Sequence, residues 1–174
     1  MDGTKKGRSS LAVEGLTISY LPEAKIGGSP NMEIDMIRKA TANWKGAGKD
    51  GKGHLATQSG ALDAPFGFNS RFENGAGSNP EELLAAAHAG CFTMSVAFAL
   101  EKAGHPAEEL DCECGVSVIK DDNGFKINRS ALMLKAKVPG MTKEAFEPLV
   151  MGAKAGCPVS KLFNTEIGLE WTLG

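Results

Sequence analysis

Two cysteines stand where a sulfur could be reactive. Cys157 lies between Gly156 and Pro158. A residue before proline is pushed out of the α region, so Cys157 is set for a turn or a helix N-cap leading into Val159-Ser160-Lys161. A thiol at a helix N-terminus feels the positive end of the dipole and loses its proton more easily. Cys91 sits in an apolar stretch 12 residues past Asn79, beyond the reach of any N-terminal dipole. The commonest fate of such a cysteine is that of a small buried hydrophobe. Spacing alone makes Cys157 the more acidic thiol.

For Cys91 to ionise, a cation must come from elsewhere in the chain or from a partner. Arg71 is the best placed, flanked by Phe68 and Phe72 in a segment otherwise without cations. The competing reading is a solvated turn arginine. A buried guanidinium needs a carboxylate, and Glu81 is free for that role if Glu82 closes a helix cap.

Other chemistry is thinner. His88 falls three residues before Cys91, on nearly the same helical face. A Cys91–His88 pair would permit transferase or hydrolase chemistry. Against it, no oxyanion-hole segment is evident, which favours a hydrogen-bonded core or interface histidine. Cys112 and Cys114 alternate with Val116 and Val118 along a strand, which makes core packing their default role. Alternate strand residues stay about 7 Å apart, so these two do not pair. There is no CxxC, hence no zinc-ribbon or thioredoxin motif. His54 and His105 read as loop residues, and no metal-ligand set emerges. The cysteine usage fits a reduced, cytoplasmic chain.

The elements that must position these groups follow from composition and pattern. At 174 residues and 42 % hydrophobic, the chain has material for one core. With 19 basic against 21 acidic residues it lacks the basic excess of a nucleic-acid binder. Lys5, Lys6 and Arg8 precede a mildly apolar stretch, but Glu14 and Gly15 interrupt it and no small-residue cleavage site follows. Residues 1–31 therefore read as an added or poorly ordered extension, with Gly27 to Asn31 as linker and a domain over 32–174. Leu83 to Leu100 has no formal charge. Its His, Gly, Ser, Thr and Ala content makes membrane insertion unfavourable. A helix apolar on every side is buried in protein, and in so small a chain full burial calls for a second subunit.

Strands are expected over Ile37–Lys45, His54–Gly60 and Phe66–Phe72. Asn79 caps a helix with Pro80 at its first position and Glu82 closing a capping box. That helix runs to about Ala103 and stops at Gly104. A strand carrying Cys112 to Val118 turns at Asp122-Asn123-Gly124, with Asn-Gly suited to positive φ at both central residues. The return strand, Phe125–Val138, shifts its apolar phase between Ile127 and Leu132, which predicts a bulge. Thr142 caps a second helix ending at Gly156 and distorted at Pro148. Ile167, Leu169, Trp171 and Leu173 alternate inward on a closing strand. The order is that of an α+β fold.

Four segments then stand out together: Phe68-Asn69-Ser70-Arg71-Phe72-Glu73, Ser78-Asn79-Pro80-Glu81-Glu82-Leu83, Ala85-Ala86-Ala87-His88-Ala89-Gly90-Cys91-Phe92 and Ala153-Lys154-Ala155-Gly156-Cys157-Pro158-Val159-Ser160. In this order they resemble the osmotically inducible protein C branch of the organic hydroperoxide resistance family, from about Ile37 to the C-terminus. The resemblance implies an intertwined α+β homodimer, with antiparallel sheets wrapped around two long central helices. It implies a peroxidase acting on organic hydroperoxides, with no cofactor and no metal, reset by an external dithiol of the lipoyl type. Cys91 matches the reactive cysteine, Cys157 the resolving cysteine, and Arg71 and Glu81 the charged pair. This reverses the acidity order drawn from spacing.

In an unbroken helix Glu81 and Cys91 would lie about 15 Å apart along the axis. Arg71 must then bridge them, or the helix must start late or kink, and the site is expected at a dimer interface with groups from both chains. Phe66, Phe68, Phe72, Phe92 and Met94 are candidates for an apolar mouth. A non-catalytic dimer binding apolar ligands in such a cleft is the third reading, beside the peroxidase and the Cys–His enzyme.

Overall fold

Alternation and capping carry this chain into two three-stranded sheets and a set of helices; the computed structural model describes residues 36–174. The extension expected over residues 1–31 lies outside the described residues. In the first sheet β1 (Ala40–Lys45), β2 (Lys52–Thr57) and β3 (Asp63–Phe66) follow one another antiparallel. Trp44, Gly53 and Phe66 sit in one row across it. The two rings close to 5.4 Å over the glycine, where a Cβ would collide with Phe66.

The aromatic segment expected as a third strand divides instead. Its first residue ends β3, and Phe68–Phe72 form a short helix, α1. The Ser70 hydroxyl accepts from the Gly67 amide and donates to the Ser78 carbonyl, which favours a turn over a ladder here.

The long helix α2 (Pro80–Lys102) starts where the sequence places it, with the Asn79 side chain accepting from the Glu82 amide at 2.8 Å. Glu82 does not complete the capping box; its carboxylate meets the Asn79 side-chain amide at 3.4 Å. The hairpin of β4 (Glu109–Asp121) and β5 (Gly124–Lys137) bulges at Asn128, between the pairs Ser117–Arg129 and Val118–Ile127. At its tip only Gly124 has positive φ, 114°, and Asp121 caps the turn by accepting from the Asn123 amide. An Asx turn thus replaces the expected pair of left-handed residues.

The second sheet is mixed, not purely antiparallel as expected. β6 (Glu166–Leu173) runs parallel to β5, which lies between β4 and β6. Parallel neighbours need a crossover, and α3 (Lys143–Gly156) with α4 (Pro158–Leu162) supplies it. Thr142 caps α3 by accepting from the Ala145 amide, and the helix continues through Pro148.

Three buried stripes make the core. On α2 they are His88, Phe92, Val96 and Leu100, each a helical turn apart. On β5 they are the alternating Ser130, Leu132, Leu134 and Ala136. On α3 they are Phe146, Val150, Ala153 and, at its end, Cys157. Burying side chains such as Phe92 and Phe146 stabilises by roughly 1.5–3 kcal/mol each. The opposite face of α2 is uncovered, with Met94 61 % and Phe98 64 % exposed. The helix is long and apolar enough to cross a membrane, yet one face is packed into this core.

Candidate active site

The α2 and α3 stripes bring two sulfurs together. Cys157 Sγ and Cys91 Sγ stand 3.0 Å apart, both as free thiols. Cys157 is wholly buried, while Cys91 is half-buried. Cys157 closes α3 and caps α4, with Pro158 at the first position, as its place before proline predicts.

The two sulfurs differ electrostatically. For Cys91, burial is the largest influence and pushes the thiol up; the hydrogen bond to Cys157 and that sulfur's charge push the same way, against the Val159 amide. For Cys157, burial would also raise the thiol. The neighbouring Cys91 sulfur first, then Ser160 and Val159 at the start of α4, outweigh it, and the thiol ends below its ordinary value. Of the two, Cys157 is the more acidic thiol, in the order spacing alone predicts. Among the described residues, no cation enters the balance at Cys91.

Arg71 is elsewhere. Its Nε donates to both Glu81 oxygens, and Nη2 meets Oε1 at 2.6 Å. The Glu81 side chain is 13 % exposed and that of Arg71 37 %. α1 carries Arg71 and the first turn of α2 carries Glu81, so the unbroken α2 separates the pair from Cys91 by about 15 Å along its axis. The structure therefore joins the four predicted residues as two pairs, Cys91 with Cys157 and Arg71 with Glu81.

His88 is the hydrogen-bonded core histidine that the absence of an oxyanion-hole segment suggests. It is 0 % exposed; Nδ1 meets Ser130 Oγ at 2.7 Å, Nε2 meets Ser160 Oγ at 2.9 Å, and Phe163 stacks 5.1 Å away. Burial lowers its pKa. With both nitrogens engaged it has no lone pair to offer Cys91, which removes the basis for a Cys–His enzyme. Cys112 and Cys114 pack beside the core, and burial pushes both thiols up. His54 belongs to β2, not to a loop, and meets Asp63 at 2.9 Å.

The expected apolar mouth is dispersed. Phe92 is fully buried in the core, Phe66 packs on Trp44, and Phe72 packs between Phe68 and Phe125 of the hairpin. Arg71 lies over the Phe72 ring. Ser130 and Ser160 are the site residues that sequence reasoning passed over. Both carried a signal: Ser130 is a hydroxyl in phase with the buried Leu132 and Leu134, and Ser160 lies one helical turn from Cys157.

Two thiols just outside bonding distance, one reachable and one buried, on an α+β scaffold define a redox enzyme that works through a cysteine pair. Residues 73–172 match the family model described as OsmC-like protein. The chain is 44 % identical over 137 residues to peroxiredoxin OsmC of Escherichia coli, covering 78 % of this chain and 96 % of that protein. It is 35 % identical over 129 residues to the organic hydroperoxide resistance protein OhrB of Bacillus subtilis, covering 68 % and 88 %. The crystal structure of that OhrB superposes with a TM-score of 0.59, covering 77 % of this chain and 98 % of the other at 28 % identity. The chain belongs to the OsmC-like family, and its chemistry is that of a thiol peroxidase.

Proposed function

We propose that the chain reduces organic hydroperoxides to alcohols, with Cys91 as attacking sulfur and Cys157 as resolving sulfur. The 3.0 Å contact between a half-buried Cys91 and a fully buried Cys157 carries this reading. A peroxide arriving from solvent meets Cys91 alone. Its sulfur, as thiolate, bonds to the terminal peroxide oxygen, the O–O bond breaks, and the alkoxide leaves and takes up a proton. Cys91 is left as a sulfenic acid. The Cys157 thiolate then attacks the Cys91 sulfur; the S–O bond breaks and hydroxide leaves as water after protonation. An external dithiol, of the lipoyl type, reduces the disulfide and resets the pair.

Cys91, whose thiol burial pushes up, has to lose its proton before it attacks. Arg71, oriented by Glu81, is the group assigned to this task, and it also steadies the negative charge growing on the leaving oxygen. Since the pair sits about 15 Å from the Cys91 of its own chain, the reading requires a homodimer in which each Arg71 serves the other chain. Dimerisation is supported by the uncovered face of α2, where Met94 and Phe98 are exposed. Ser95, Phe98, Leu149 and Gly152 also line an open groove of about 410 Å³ between α2 and α3. The four free cysteines fit a reduced, cytoplasmic setting.

Rapid mixing of the reduced protein with cumene hydroperoxide, followed by mass analysis, tests the reading. A Cys91–Cys157 bond formed within the turnover time is expected. Two free thiols in a folded protein after exposure would refute it.

A further inference from the structure

A row of buried hydrogen-bonding groups ends at α4, the short helix that the resolving Cys157 caps. Cys114 Sγ is 3.3 Å from Ser130 Oγ, Ser130 Oγ is 2.7 Å from His88 Nδ1, and His88 Nε2 is 2.9 Å from Ser160 Oγ. Ser160 sits at the third position of α4 with Cys157 as its N-cap, one helical turn from the residue that carries the resolving sulfur. His88, Ser130 and Cys157 are all 0 % exposed, and Ser160 is 8 % exposed.

We propose that His88 is a positioning residue for the resolving sulfur: clamped between Ser130 and Ser160, it turns the Ser160 hydroxyl so that it donates to the Cys157 thiolate. The inference rests on the two-cysteine reading above. A neutral imidazole has one N–H and one lone pair. With the proton on Nε2, His88 donates to Ser160 Oγ, and the hydrogen of Ser160 is left to point at Cys157. Nδ1 then accepts from Ser130, whose oxygen can accept from the Cys114 thiol. Every donor in the row points toward Cys157, so the bonds reinforce one another.

The other tautomer reverses the row. Ser160 then donates to His88 and turns a lone pair toward Cys157, which suits the protonated thiol. The tautomer of His88 and the protonation of Cys157 therefore change together. His88 itself touches no reacting atom. It takes up no proton, because a buried imidazolium with no carboxylate beside it would be costly.

The test separates the two steps of the reaction. Reduced protein receives one equivalent of cumene hydroperoxide, is quenched at short times, and is analysed by mass for sulfenic acid and disulfide across the alkaline range around the ordinary thiol pKa of about 8.5. His88→Asn keeps a partner for Ser130 but loses Ser160. Its defect is expected on disulfide formation, slowed about tenfold at neutral pH and recovered as the pH rises. Ser160→Ala should show the same displaced profile, and His88→Gln, which keeps an N–H near the Nε2 position, should restore it in part.

Wild-type pH profiles for disulfide formation in both His88→Asn and Ser160→Ala would overturn the proposal, as would equal slowing of both steps at every pH. If His88→Asn does not fold, the profile of Ser160→Ala decides. A wild-type protein that oxidises without forming the disulfide refutes the two-cysteine reading itself, a result distinct from unshifted variants.

Discussion

Arg71 and Glu81 hold each other through three hydrogen bonds, at the opposite end of the α2 N-terminal half from Cys91. Such a forked pair fixes the plane of a guanidinium and leaves one edge free to meet a second anion. Along α2 this preassembled pair stands about 15 Å from the Cys91 of its own chain.

Loss of that holder should fall on chemistry, not folding. Arg71→Ala is expected to lower kcat/KM for cumene hydroperoxide by roughly 10²–10³, the scale of removing one charge-stabilising donor. Arg71→Lys should recover little, because an ammonium cannot fork across Glu81. Steady-state peroxide consumption measures both, with circular dichroism confirming the fold.

The cysteines should fail differently. Cys91→Ser is expected to abolish peroxide consumption. Cys157→Ser should form the Cys91 sulfenic acid with one equivalent and then fail to turn over, each further equivalent adding one oxygen as Cys91 passes to sulfinic and sulfonic acid. Intact-protein mass spectrometry follows the added oxygens. Continued turnover by the Cys91 variant would contradict the assignment.

The uncovered face of α2 should be where a second copy docks. Met94→Asp and Phe98→Asp place charge on side chains that are 61 % and 64 % exposed in the single chain, so neither disturbs the internal core. Both variants are expected to shift the protein toward monomer in sedimentation velocity and to lose peroxidase activity in parallel. A monomeric variant with full activity would mean that Arg71 is not supplied across an interface.

Buried His88 makes stability depend on pH. Its folded pKa lies below the ordinary value of about 6.5, because burial disfavours the charged ring. Between the two values the unfolded chain binds more protons than the folded one, so unfolding free energy rises with pH through that window and levels off above about 6.5. Urea midpoints should therefore fall as pH is lowered from 7 toward 5 by more in the wild type than in His88→Gln. Equal slopes would show that His88 does not titrate on unfolding.

Much of this architecture is written locally in the chain. Asn79 and Pro80 announce α2, Thr142 announces α3, and the phase slip between Ile127 and Leu132 marks the bulge at Asn128. Cys157 before Pro158 marks the junction of two helices. Other features depend on partners distant in sequence. Phe68–Phe72 has the composition of a strand, but Ser70 is captured by the backbone of Gly67 and Ser78, and the segment coils. The parallel course of β6 is set by the crossover and is invisible in its alternating residues. Within the site, Cys91 and Cys157 carried recognisable surroundings. Ser130 and Ser160 looked ordinary, because their importance arises only when β5 and α4 converge on His88.

The resolving sulfur rides on the crossover between β5 and β6, 66 residues along the chain from its partner. Each oxidation therefore fastens that crossover to the central helix and closes a long ring of chain. Removing that much freedom from the unfolded ensemble favours the native state by about 4 kcal/mol on the chain-entropy account. The oxidised molecule should melt at a higher temperature than the reduced one, so a calorimeter alone could tell a charged catalyst from a spent one.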